Sequence, residues 1–192
     1  MNDMKVSMKQ LGGAEVLAGA LSGRTVLSKL MATTVQEPAT PEPMFLDFTG
    51  VEVATASFLR ESVLAFREVV RGRKSNLYPV VANANEVVLE ELVELLRPRG
   101  DVLMACRLED NGSVTEAAPL GELDPKQRMT FNLVEDRGET DAGELMRDFG
   151  ESEGVTRTTA WNNRLSSLAA LGLVVEVSQG RAKRYRPLFK GV

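Results

Sequence analysis

The chain has 192 residues, 43% hydrophobic and 26% charged, with net charge −4 and a pI near 5.1, which suits one large globular domain or two small ones. No His is present and Cys106 is the single Cys, so His-based triads, Cys-His dyads, the usual zinc sites and any intramolecular disulfide are excluded. The apolar runs are too short for a bilayer span and the start MNDMKVSMKQLGG lacks a basic-then-apolar secretory plan, so no membrane partner and a reducing cytoplasm are expected.

Residues 4–8 (MKVSM) suit a short edge strand, and 13–35 read mostly as helix, with Gly23 as a break or bend. The stretch 36–43 holds three Pro and is expected to be a loop; MFLDF (44–48) fits a buried strand. In 57–73, Phe58, Leu59, Val63, Phe66 and Val70 recur at helical spacing. Residues 77–84 read as strand, and 85–100 as an amphipathic helix stopped by Pro98 and Gly100. Residues 101–120 read as a strand leading into a hairpin, with Asn111-Gly112 at the turn. Alternating strand and helix over roughly 120 residues predicts an α/β domain, a sheet layered with helices, over residues 1–121.

The remainder, 122–192, follows another plan. Asp124-Pro125 opens a helix that ends at Gly138. Asp141 and Glu144 have capping-box spacing for a short second helix. Gly150 and Gly154 bracket a turn, after which Thr156 is expected to cap a third helix running to Leu171, stopped by Gly172. Residues 173–178 and 182–188 then flank Gln179-Gly180-Arg181 as a hairpin. Three helices and a hairpin make a small α+β domain in the order of a winged helix.

Charge is segregated along the chain. Residues 111–153 carry four cations against eleven acids, whereas 154–192 carry seven cations against one acid. Such a polarised surface steers a polyanion despite the net negative charge. On a helical wheel Trp161, Leu165, Leu168 and Gly172 share one face, flanked by Arg157 and Arg164. Trp161 is read as core, with base stacking as the alternative. The opposite face presents Thr156, Thr159, Asn163, Ser166 and Ala170, with Asn162 alongside; such short polar side chains let a helix enter a major groove. In the hairpin Arg181, Lys183, Arg184 and Arg186 surround the turn, suited to phosphate or minor-groove contact. Duplex DNA is the expected ligand, because the proposed reader is a helix rather than an aromatic-studded sheet. A homodimer would multiply the specificity of so short a helix.

The stretches TTAWNNRLSSLAALGLV (158–174) and SQGRAKRYRP (178–187) resemble the winged helix-turn-helix family of bacterial regulators, over about residues 122–190. That resemblance implies a recognition helix and a wing, although some members bind only protein. FLDFTGVEVATASFLRESVLAF (45–66), with LSGRTVLSKL (21–30), resembles the STAS family of anti-sigma-factor antagonists over about residues 4–110. Within that family it is most similar to STAS-like bacterial domains of unknown function.

The STAS resemblance places Ser57 at the family's phosphorylated turn position and implies a protein partner. Thr55, Ala56 and Phe58 replace the family's Asp, Ser and Gly. The plainer reading is that Ser57 caps its helix, whereas a phosphate there would draw on free N–H groups at the helix start. Asp47 is read as an acceptor for nearby loop backbone, the alternative being a catalytic carboxylate. Glu86, Glu90, Glu91 and Glu94 are read as a solvated face and Cys106 as a small core residue. No Walker-type or G-x-G-x-x-G motif and no catalytic constellation occurs, so neither an enzyme nor a cofactor is expected. The combined expectation is a DNA-binding transcriptional regulator, with a STAS-type partner-switching module as the alternative.

Overall fold

The computed structural model describes residues 4–179 and 182–190, and the chain divides after residue 122 into two units built on different plans. The first unit is mixed α/β. Its strands β1 (Met4–Ser7), β3 (Glu42–Asp47), β5 (Leu77–Ala82), β6 (Val102–Leu108) and β7 (Val114–Gly121) form one five-stranded sheet in that order. The first four run parallel, and β7 returns antiparallel beside β6. A second, two-stranded parallel sheet joins β2 (Val16–Leu17) to β4 (Val53–Ala54).

Helices connect the parallel strands, as parallel pairing requires a crossover. They are α1 (Met8–Gly12) and α2 (Ala20–Thr33) before β3, α3 (Ala56–Leu59) and α4 (Ala65–Gly72) before β5, and α5 (Glu86–Leu96) before β6. Met44, Leu46, Val81 and Leu103 lie on one sheet face and share a core with Val26 and Leu30 of α2, Phe58, Phe66 and Val70 of α3–α4, and Val88 and Leu92 of α5. On the other face Phe45, Val80 and Met104 are in register across three strands and are buried too. Burial on both faces accounts for the unbroken apolar run of β5. Pro79 is tolerated within it because the β6 ladder begins only at Val80.

Three expectations for this unit need correction. The helix expected over 13–35 is interrupted: Gly13 turns left-handed to end α1, and Gly19, also at positive φ, precedes α2. Gly23 does not bend α2. It lies inside the helix, where a Cβ would stand 2.7 Å from the Phe58 carbonyl oxygen and 2.9 Å from Glu61 Cβ; glycine allows two helices to approach closely. The helix expected over 57–73 runs from Ala56 to Gly72 but widens into a π-helical stretch over Arg60–Leu64. At that stretch Ser62 is buried and its hydroxyl donates to the Phe58 carbonyl at 2.7 Å.

The second unit contains α6 (Pro125–Arg137), α7 (Ala142–Phe149), α8 (Thr158–Leu171) and the antiparallel hairpin β8 (Val174–Gln179) with β9 (Ala182–Pro187). Asp124 Oδ1 accepts the Lys126 and Gln127 amides, both at 2.9 Å, and Gly138 closes α6 in the left-handed region. Asp141 and Glu144 form a complete capping box at α7. Between these helices Thr140 pairs with Tyr185, N to O in both directions at 2.9 and 2.8 Å, adding a one-residue third strand beside β9. Phe131 and Val134 of α6, Leu145 of α7, and Trp161, Leu165 and Leu168 of α8 are buried, as are Val175 and Tyr185 of the hairpin. Among the described residues no helix is long and apolar enough to cross a membrane.

Candidate nucleic-acid interface

The local sequence of α8 determines which of its sides faces outward. Trp161, Leu165 and Leu168, three or four residues apart, are buried, so the opposite side of the helix points away from the core. Thr156, Arg157, Thr158, Thr159, Asn162, Asn163 and Ala170 are all exposed. Thr156 does not cap the helix. Arg157 is the N-cap residue, with extended backbone and no side-chain cap bond, so the positive end of the helix dipole opens onto this surface.

The wall of the surface is a groove of about 550 Å³ lined by Asp141 and Gly143 at the start of α7, by Thr158, Asn162 and Ser166 along α8, and by Lys183 on β9. Tyr185 anchors the hairpin to this side of α8. Its hydroxyl lies 3.2 Å from Ser166 Oγ and 3.2 Å from Glu176 Oε2, and burial pushes its pKa up.

The cations expected to meet phosphate divide into two groups. Strand alternation sends Lys183 and Tyr185 to the hairpin face that carries Glu176, and Arg184 and Arg186 to the face with Val175 and Val177. Lys183 Nζ lies 2.8 Å from Glu176 Oε1, and that hydrogen bond raises its pKa. Arg184 is enclosed by acids. Its Nε donates to Glu139, its Nη1 to Asp141 at 3.1 Å and Glu144 at 3.2 Å, and its Nη2 to Glu144. The Arg164 side chain is only 11% exposed, 4.6 Å above the Trp161 ring and 3.5 Å from Glu153. Arg164 and Arg184, both expected to offer their charge to phosphate, are thus engaged by acids inside the unit. Arg157 is exposed, and Arg186 is half-buried with Nη1 donating to the Pro187 carbonyl at 3.3 Å. Arg181 lies outside the described residues.

The partners Glu153, Glu176 and the acids at 139–144 were missed from sequence. Hairpin register would have revealed one of them: with Gln179 paired to Ala182, Glu176 falls opposite Tyr185 and diagonal to Lys183. Trp161 is fully buried with its Nε1 unpartnered. That supports the core reading and leaves no ring face for base stacking.

In the first unit Thr55, not Ser57, is the N-cap of α3. Ser57 Oγ lies 3.2 Å from Thr55 Oγ1, the Phe58 amide donates to Thr55, and the Ala56 amide donates to Glu91 Oε1 at 2.7 Å. Two of the amides a phosphate would use, those of Ala56 and Phe58, are already committed, and Glu91 brings a like charge to the spot. Glu91 is thus a half-buried cap for α3 rather than part of a solvated face.

Asp47 is a locked acceptor. Thr49 N and Oγ1 donate to its Oδ1 at 3.2 and 2.7 Å, Asn83 Nδ2 reaches the same oxygen at 3.0 Å, and Lys5 Nζ lies 3.1 Å from Oδ2. Burial opposes ionisation there, but the bonds from Thr49, Lys5 and Asn83 outweigh it and hold the carboxyl below its ordinary range. Among the described residues no group of His, Cys, Asp and Glu is arranged to hold a metal. No family model, curated protein or solved structure matches the chain.

Proposed function

We propose that residues 122–192 form a winged-helix domain that binds duplex DNA and that the protein is a transcriptional regulator. In this reading residues 1–121 are a STAS-like domain that senses a partner or joins two copies. The observation that carries the proposal is the outer side of α8. From Thr156 to Asn163 it is exposed, polar and free of acid, its first-turn amides have no side-chain cap, and Arg157 stands at its start. A surface needed only for solubility would carry Glu and Lys, whereas short Thr and Asn side chains reach base edges and phosphates without blocking close approach. The one-residue strand at Thr140 beside the hairpin supports the winged-helix reading of the unit.

The pairing of Lys183, Arg184 and Arg164 with acids favours a second reading, in which the same surface docks a protein partner. Fluorescence anisotropy with a mixed-sequence duplex separates the two. DNA binding requires affinity that falls with salt at a log–log slope of about −0.9 per phosphate engaged and that is lost in Asn162→Glu/Asn163→Glu. Wild-type protein that leaves the duplex unbound at low salt refutes the DNA reading in favour of the docking one. The geometry around Ser57 lends no support to a phosphorylated switch.

A further inference from the structure

Arg184 should be the strongest phosphate ligand of the hairpin, since its guanidinium fork suits bidentate contact. Instead all three of its nitrogens donate to carboxylates, and three acids surround one cation. Two of those acids have work elsewhere. Asp141 Oδ1 accepts the Gly143 and Glu144 amides, and Glu144 Oε2 accepts from Thr140 Oγ1 and from the Asp141 amide. Glu139 takes no part in that capping box; its carboxylate is spent on Arg184 Nε. Asp141 also lines the groove beside Thr158, Asn162 and Lys183, so one of the three carboxylates stands at the surface a polyanion would approach.

We infer that the Glu139–Asp141–Glu144 carboxylates sequester Arg184 and thereby restrain nucleic-acid binding by the second unit. The inference rests on the DNA-binding reading and adds a brake to it. Neutralising Glu139 and Glu144 takes away two of the three carboxylates on Arg184, leaving Asp141 at the groove, and so frees the guanidinium for phosphate. Affinity and salt dependence then rise together.

The test uses the full chain with Glu139→Gln/Glu144→Gln. Gln at the capping-box position keeps the α7 start intact, and Asp141 is left in place. Asp136→Asn/Glu151→Gln, two exposed acids outside the cluster, makes the same net-charge change and serves as control. Far-UV circular dichroism and the emission of buried Trp161 verify folding. The expected result is about fivefold tighter duplex binding than wild type at low salt, a log–log slope steeper by about 0.9, a markedly smaller gain in the control, and loss of the gain when Arg184→Gln is added. Equal gains in variant and control, an unchanged slope, or a gain that survives Arg184→Gln overturns the brake. If wild type binds and the carboxylate variant gains nothing, only the brake falls. If neither binds, the DNA reading falls and the brake falls with it.

Discussion

Replacing Gly23 by Ala sets two opposing effects against each other, and the structure decides which one prevails. Inside a helix, Ala is favoured over Gly by about 1 kcal/mol. At Gly23, however, the added Cβ would stand 2.7 Å from the Phe58 carbonyl oxygen, 2.9 Å from Glu61 Cβ and 3.2 Å from Phe58 Cα. None of these is the far end of a flexible side chain, so α2 must back away from α3 and the π-helical stretch. Overpacking of this kind costs about 1–3 kcal/mol, and the separation also loosens Val26 and Leu30 from Phe58 and Val63. The expected net effect is destabilisation by up to about 2 kcal/mol.

Gly72, the last residue of α4, is the matched control. Nothing lies within 4 Å of a Cβ there, so Gly72→Ala should stabilise by about 0.4–1 kcal/mol. Urea unfolding followed by far-UV circular dichroism reads both, as midpoint shifts of opposite sign with an unchanged slope. Gly23→Ala at or above wild-type stability would refute the close-approach argument.

Two further outcomes follow from buried groups in the same unit. Burial, aided by the charge of Asp47, pushes the Cys106 thiol up to about 12, so only about one molecule in ten thousand is thiolate at pH 8. A disulfide reagent should label native protein very slowly and denatured protein at once; rapid native labelling would contradict this placement. Asp47 has a folded pKa below its unfolded value, so its carboxylate stabilises the fold above the ordinary carboxylate range, and that contribution is lost as pH falls through the folded pKa. Asp47→Asn should cost about 2 kcal/mol at neutral pH and flatten the acid limb of the stability curve, which an acid titration of wild type and variant at several urea concentrations measures.

The elements that sequence located well are those governed by residues three or four apart. Asp124 and the Asp141–Glu144 box start α6 and α7 where their spacing says they should, Gly138 stops α6 and Gly172 stops α8. The Trp161, Leu165, Leu168 stripe is buried, which leaves the Thr/Asn side exposed. Errors arose where a local signal had two outcomes. Thr156 and Arg157 both precede α8, and the backbone conformation rather than the hydroxyl decided which became the N-cap. Ser57 and Thr55 were both able to cap α3, and Thr55 does so because its Oγ1 also accepts the Gly19 amide from a distant loop.

Composition, periodicity and capping residues determined α5 to α8, the strands β1, β3, β5 and β6 and the segregation of positive charge toward the end of the chain, because the elements depend on interactions spanning at most one turn or one strand period. Which cations remain available was decided only by the tertiary structure. Arg184 meets Glu144 across 40 residues, and Arg164 meets Glu153 around a turn. An ion pair depends on where two backbones bring their charges in space, and a tally of Lys and Arg along the chain is blind to that.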